Sequence, residues 1–210
     1  MVQLGMAQLI LGAVLAVCLA VGVPAAQAAP TVLNFDELQY GEELSGQYTG
    51  LGVVFGTADG QPIHVRCPVL PAPFTGPNAV RGVHDTNADI IATFSKDIYS
   101  VSVTMGDNVN LWEIGEDTDD LFLRLYDSSD NLLASEEYSL VPPEGGYTLG
   151  ASSFHPVAYA RFNSTGDYPG TVYFDNFGFD TEAPAVPVPP AVLLFGSGLT
   201  GLAGWRFRRR

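Results

Sequence analysis

Six carboxylates crowd the first fifteen residues of one stretch of this chain: Asp107, Glu113, Glu116, Asp117, Asp119 and Asp120 open GDNVNLWEIGEDTDDLFLRLYD, Gly106 to Asp127. Repulsion among that many like charges favours either full solvation or a bound cation. The stretch lacks the alternating acidic ligands, central Gly and distal Glu of an EF-hand loop, so that motif is excluded. If Ca²⁺ binds here, Asp107, Asp117 and Asp119 are the expected ligands. Trp112 lies in the same stretch and is the only tryptophan before the C-terminal tail. An exposed indole beside carboxylates and amides can stack on the apolar face of a pyranose while polar groups bind its hydroxyls. The alternative role for a lone Trp in a small β domain is core or loop packing. Tyr40, Tyr48, Tyr168 and Tyr173 could supply the same stacking surface.

The remaining reactive side chains are sparser. His64 and Cys67 form a His-x-x-Cys pair, and His84 precedes Asp85 with Asp89 nearby. A structural zinc site needs four convergent ligands, and only two are local here. His155-Pro156 reads as a turn. No Gly-x-Ser-x-Gly elbow, His-Glu-x-x-His helix or phosphate loop occurs. Carboxylate pairs of the glycosidase kind arise in any acidic protein and assign nothing by themselves. The residues favour binding over catalysis, and no enzyme activity is expected.

Short β-type segments must position these groups. Runs rich in Val, Ile, Tyr, Phe and Thr recur between Gly, Pro, Asn and Asp clusters, without sustained helical periodicity. Strands are expected at Thr31–Phe35, Val53–Gly56, Ile90–Phe94, Ile98–Met105, Leu121–Tyr126, Leu132–Glu136, Tyr147–Gly150, Val157–Phe162 and Val172–Phe177. Tyr99, Val101, Val103 and Met105 alternate with Ser100, Ser102 and Thr104, while Leu121, Leu123 and Leu125 oppose Phe122 and Arg124. Asp127–Asn131 reads as a five-residue hairpin loop. Pro-rich Cys67–Asn78 reads as a long surface loop. The fold expected is all-β, a two-sheet jelly-roll-like sandwich.

The two ends differ from this body. Met1–Ala28 has the apolar run and small-x-small close, Ala26-Gln27-Ala28, of a secretory signal peptide, though no Lys or Arg precedes the run. Residues 29–183 form the ectodomain and 184–210 the tail. The tail has a Pro-rich spacer, an apolar run from Ala191 to about Trp205, and Arg206, Arg208, Arg209 and Arg210. At about 1.5 Å per residue that run nearly crosses a hydrocarbon core as a single transmembrane helix, with the arginines cytoplasmic. All 23 acidic residues precede the tail against five basic ones, which gives −18 there compared with −14 for the whole chain. That charge repels nucleic acid and anionic membranes and favours divalent cations. Removal of the signal peptide, and Cys18 with it, leaves Cys67 as the only cysteine, and burial is its expected state.

At VPVPPAVLLFGSGLTGLAGWRFRRR the chain resembles the PEP-CTERM sorting tails of Gram-negative bacteria. Val188 stands where many members carry the Glu of Pro-Glu-Pro. The resemblance implies recognition of Pro187, Val188, Pro189 and Pro190 by an exosortase in the inner membrane, followed by tail removal. The partners during export would be exosortase and signal peptidase, and the location the outer cell surface or extracellular space. A second resemblance joins the opening NFDEL…GLGVVF and the closing FDNFGF to PEP-CTERM ectodomains with a carbohydrate-binding-module-like sandwich. It implies that the first and last strands share an edge and a structural Ca²⁺, with Asp36, Glu37 and Asp175 as side-chain ligands.

These readings leave three function classes. The first is a non-catalytic surface or matrix protein associated with exopolysaccharide. The second is a Ca²⁺-dependent carbohydrate-binding module with one defined sugar site, for which Trp112 is the ligand-binding candidate. The third is a glycan hydrolase or lyase.

Overall fold

Alternation of apolar and polar residues on long antiparallel strands dictates the architecture, because each strand can then bury one face and leave the other wet. The computed structural model describes residues 29–67, 74–82, 88–107, 118–141, 145–166 and 172–184. Among the described residues there are ten strands: β1 (Thr31–Leu33), β2 (Glu43–Leu44), β3 (Val53–Thr57), β4 (Ile63–Arg66), β5 (Ala79–Arg81), β6 (Ile90–Asp107), β7 (Asp119–Tyr126), β8 (Leu132–Leu140), β9 (Tyr147–Gly166) and β10 (Val172–Asp180). One 3₁₀ turn, Thr49–Leu51, precedes β3. The described residues contain no α-helix, and the fold is all-β and sandwich-like. The signal peptide, the sorting tail, Trp112 and Asp117 lie outside the described residues.

Two strands do the folding over. Residues expected as two strands, Ile90–Phe94 and Ile98–Met105, form the single β6; Tyr147–Gly150 and Val157–Phe162 likewise join as β9. Each therefore serves both layers. The first half of β6 pairs with β3 and the second half of β9, which continues to β7 and then β8. The second half of β6 pairs with the first half of β9 and with β10, beyond which lie β1 and the short β5, β4 and β2. At the crossover, Ile98 pairs with Val157 and Ser100 with Ser152, so Ser153–Pro156 bulge out of the ladder. His155-Pro156, expected as a turn, belongs to this bulged strand. Proline, which has no N–H to give, is tolerated where no ladder bond is required.

The core is the space between the layers. Leu121, Leu123 and Leu125 of β7 join Val101, Val103 and Met105 of β6 in one buried cluster with Ala160, Phe162, Phe174, Phe177 and Phe179. Phe177 is its hub: its ring meets Phe55 at 5.0 Å edge-on and Phe162 at 5.6 Å. Burying an aromatic ring of this size contributes about 1.5–3 kcal/mol before the geometric preference of ring pairs is added.

Three short strands, β2, β4 and β5, escape the sequence pattern, since each spans only two to four residues. Cys67, expected to be buried, is exposed and free. It lies one residue past the end of β4, after the inward Ile63 and Val65, where the chain has already left the sheet.

Candidate functional site

Two places gather polar side chains over this framework. The first joins the chain's two ends. β1 runs antiparallel to β10, with Thr31 opposite Phe179 and Leu33 opposite Phe177. Just past β1, Phe35 takes a left-handed backbone conformation (φ 58°), which sends its ring into the core against Tyr48 and Phe55. On β10 the register shifts between Asp175 and Gly178, and Asn176 is also left-handed (φ 48°). That shift lets Phe174 and Phe177 both face inward while Asp175, paired with Thr104, takes the opposite face. Non-glycine residues in this conformation are uncommon, and they collect where local geometry is held for a purpose.

The segment Thr75–Asn78, expected as free surface loop, lies across both acids. Thr75 N–H donates to Asp175 Oδ2 (3.0 Å), and Thr75 Oγ1 to Asn176 Oδ1 (2.6 Å). Asn78 N–H donates to Asp36 Oδ1 (3.1 Å), and its side-chain amide to the carbonyl of Leu38 (2.9 Å). Gly76 (φ +73°) packs so tightly that a β-carbon there would fall 1.9 Å from Asp36 Oδ2. Asp175 is completely buried, and its Oδ1 has no hydrogen-bond partner. Burial pushes its carboxyl up to about 6, opposed by backbone N–H donors and reinforced by the charge of Asp36.

Of the three ligands implied for this edge, Asp36 and Asp175 both accept backbone N–H bonds from the Thr75–Asn78 segment, and the charge of Asp36 acts on Asp175. Glu37 turns elsewhere and accepts the Tyr48 hydroxyl at 2.6 Å. Burial, then that carboxylate, raises the Tyr48 phenol above its ordinary value. A buried carboxylate oxygen without a donor fits a hard cation, which takes oxygen ligands from side chains and backbone carbonyls together. Among the described residues, no three His, Cys, Asp or Glu side chains group as a metal site. In the second acidic set, Asp107 ends β6 opposite Val172. Asp119 opens β7 opposite Leu140 and Gly166 and is buried.

The second place is the outer face of β8, β7 and β9. With Leu121, Leu123 and Leu125 in the core, the intervening side chains must point out. Ser139, Asp120 and Thr165 are aligned across the three strands, as are Glu137, Phe122 and Asn163, and then Ser135, Arg124 and Arg161. A cleft of about 560 Å³ opens over these rows, lined by Asp89, Asp120, Phe122, Arg124, Glu137 and Ser139 among others. Volumes of about 300–1,000 Å³ are usual for small-molecule sites.

Interactions hold this lining in place. The Arg124 guanidinium lies 4.4 Å above the Phe122 ring and donates to Glu137 Oε1 at 2.8 Å. Glu137 raises the Arg124 pKa. Ser139 Oγ donates to Asp120 Oδ1 (2.5 Å). Beside the cleft, Tyr126 and Tyr159 stack face to face at 4.9 Å, with Arg161 over both rings at 5.8 and 5.7 Å. Tyr159 donates its hydroxyl to Asp130 Oδ1 (2.9 Å). The loop Asp127–Asn131 is thereby fastened to the face, and Asp127 closes it by accepting from the Ser129 and Asn131 backbone.

Of these cleft residues, the sequence marks Asp120 in the acidic stretch and Asp89 beside the histidines, each in a metal context, and none as part of a sugar site. The outward face itself is signalled by the alternation of Phe122 and Arg124 against the leucines. Glu137 and Asp89 arrive from other strands, which a linear pattern does not reveal.

No protein-family model matches the chain, and no curated protein matches it. Solved structures do resemble it. An arabinose-bound GH51 α-L-arabinofuranosidase aligns over 75% of this chain at 11% identity with a TM-score of 0.50. The chain spans 27% of that enzyme's length. A xylan-binding domain from Paenibacillus barcinonensis aligns over 77% of this chain and 100% of that one, at 10% identity and a TM-score of 0.46. A DUF4465 family protein from Bacteroides caccae aligns over 74% of this chain and 100% of that one, at 11% identity and a TM-score of 0.48. At such identities the likeness is one of fold.

Proposed function

We propose that this chain is a non-catalytic carbohydrate-binding protein of the bacterial cell surface, exported and then trimmed as an exosortase substrate. One observation carries the binding reading: the cleft on the outer face of β7 and β8, whose aromatic floor and polar walls are already fixed by mutual contacts. Preorganised side chains lose little freedom when a ligand arrives, so more of the contact energy appears as affinity. Sugars suit such a surface through their hydroxyls, which can bond its carboxylates, while the buried Phe122 supports the Arg124 guanidinium from below. The polymer at the cell surface would be exopolysaccharide or other matrix glycan.

Asp36 and Asp175 would hold a structural Ca²⁺ in this reading. The ion would supply charge compensation for the buried Asp175 and tie β1, β10 and the Thr75–Asn78 segment together. It would stabilise the fold at a distance from the chemistry of sugar binding. The exosortase reading rests on the tail sequence alone, Pro187–Pro190 followed by the apolar run and arginines.

Affinity electrophoresis of the purified full-length chain against a panel of polysaccharides tests the binding reading. Retardation in at least one gel is expected, and unchanged mobility in all of them would remove it. For the tail, mass spectrometry of material recovered from the cell exterior should show a chain ending before Arg206.

A further inference from the structure

We infer that the cleft selects neutral, hydroxyl-rich sugar chains and rejects acidic ones; this rests on the carbohydrate-binding reading and specifies its ligand class. The charges on the cleft wall carry the argument. Asp89, Asp120 and Glu137 are three carboxylates facing one lining cation, Arg124. That cation is already engaged, bonded to Glu137 Oε1 and stacked on Phe122. The neighbouring Arg161 is not free either: it lies over Tyr126 and Tyr159, with Asp89 at 3.9 Å.

A uronate, sulfate or pyruvate group entering here would therefore meet three carboxylates against two arginines, each arginine already facing a carboxylate and an aromatic ring. It would also approach a domain of strongly negative net charge, which lowers the local concentration of anions. Sugar hydroxyls face the opposite situation. Asp120 Oδ1 is occupied by Ser139 and Glu137 Oε1 by Arg124, but the second oxygen of each accepts no hydrogen bond among the described residues. An ionised carboxylate is an acceptor only, and it bonds a hydroxyl donor more strongly than a neutral acceptor does. Ser139 Oγ, which donates to Asp120 Oδ1, and Thr165 Oγ1, which donates to the Asp120 carbonyl, keep lone pairs that accept from a sugar hydroxyl.

The test uses the full-length chain in detergent and three soluble probes: galactomannan as the neutral polymer, polygalacturonate as the acidic one, and chitosan as the cationic one. Isothermal titration should show binding to galactomannan with an affinity that changes less than about threefold between low and high salt, since no ion pair forms across the interface. Polygalacturonate should bind at least about tenfold more weakly. Asp120→Asn and Glu137→Gln, both at exposed side chains, should each weaken galactomannan binding several-fold while narrowing the gap to polygalacturonate. Chitosan, drawn by the negative charge, should bind with an affinity that falls steeply with salt, whereas tighter binding of polygalacturonate than of galactomannan would overturn the inference while leaving the carbohydrate reading intact. Silence toward all three probes, with a broad glycan panel also silent, would sink both.

Discussion

Replacing Asp175 by Asn probes the buried acid directly, because the amide is nearly isosteric and uncharged. Its carboxyl moves from 3.8 in the unfolded chain to about 6 in the fold. That difference corresponds to about 3 kcal/mol against the ionised form in the native state. The sign follows from proton binding. Between those two values the native state holds a proton that the unfolded state has released, so stability falls as pH rises. The contribution is therefore complete below pH 4 and lost by about pH 7. Metal-free Asp175→Asn should lack this fall and should exceed the wild type at about pH 8 by up to 3 kcal/mol, or roughly 6–12 °C in midpoint for a domain of this size. The amide oxygen can keep the Thr75 N–H bond, while its NH₂ replaces the oxygen that makes no hydrogen bond. Urea unfolding in EDTA from about pH 4 to 8 measures both curves. Added Ca²⁺ should close most of this gap, raising the wild type by about 2.7 kcal/mol at a hundredfold excess over its dissociation constant and leaving the variant unmoved. Parallel curves for the two proteins in EDTA would refute the reasoning about Asp175.

The clamp above the acids should be equally sensitive. Gly76→Ala combines a left-handed backbone with a β-carbon inside van der Waals contact of Asp36, so a loss of more than about 1 kcal/mol is expected in thermal melting; an unchanged midpoint would contradict the packing. Cys67 should react with a thiol reagent in the native protein, as its exposure requires, and Cys67→Ser should alter stability by less than about 0.5 kcal/mol. A thiol that labels only after unfolding would contradict that placement.

The parts of the fold visible in the sequence were those with strong period-two patterns. The leucines of β7 and the valines of β6 announce their buried faces, and both lie in the core. Strand continuity was hidden, because Ser95-Lys96-Asp97 and His155-Pro156 resemble punctuation although β6 and β9 run through them. Long strands that change layers need a bulge or bend in the middle, and such residues look locally like turns. At the chain ends, the pairing of the first strand with the last is implied by a family resemblance and is present as β1 against β10. The Thr75–Asn78 clamp is not so implied, since a backbone N–H donor leaves no trace in residue type. The cleft was hidden for a different reason: Asp89, Phe122 and Glu137 are neighbours only through strand register.

The most direct test of the account follows backbone amide signals of the isotope-labelled full-length chain during titration with a soluble neutral oligosaccharide. Shifts concentrated at Asp120–Arg124, Glu137–Ser139 and Asn163–Thr165 are the expected result. Saturable shifts confined to other strands, or none with any sugar, would contradict the claim that the outer face of β7 and β8 is where this protein binds.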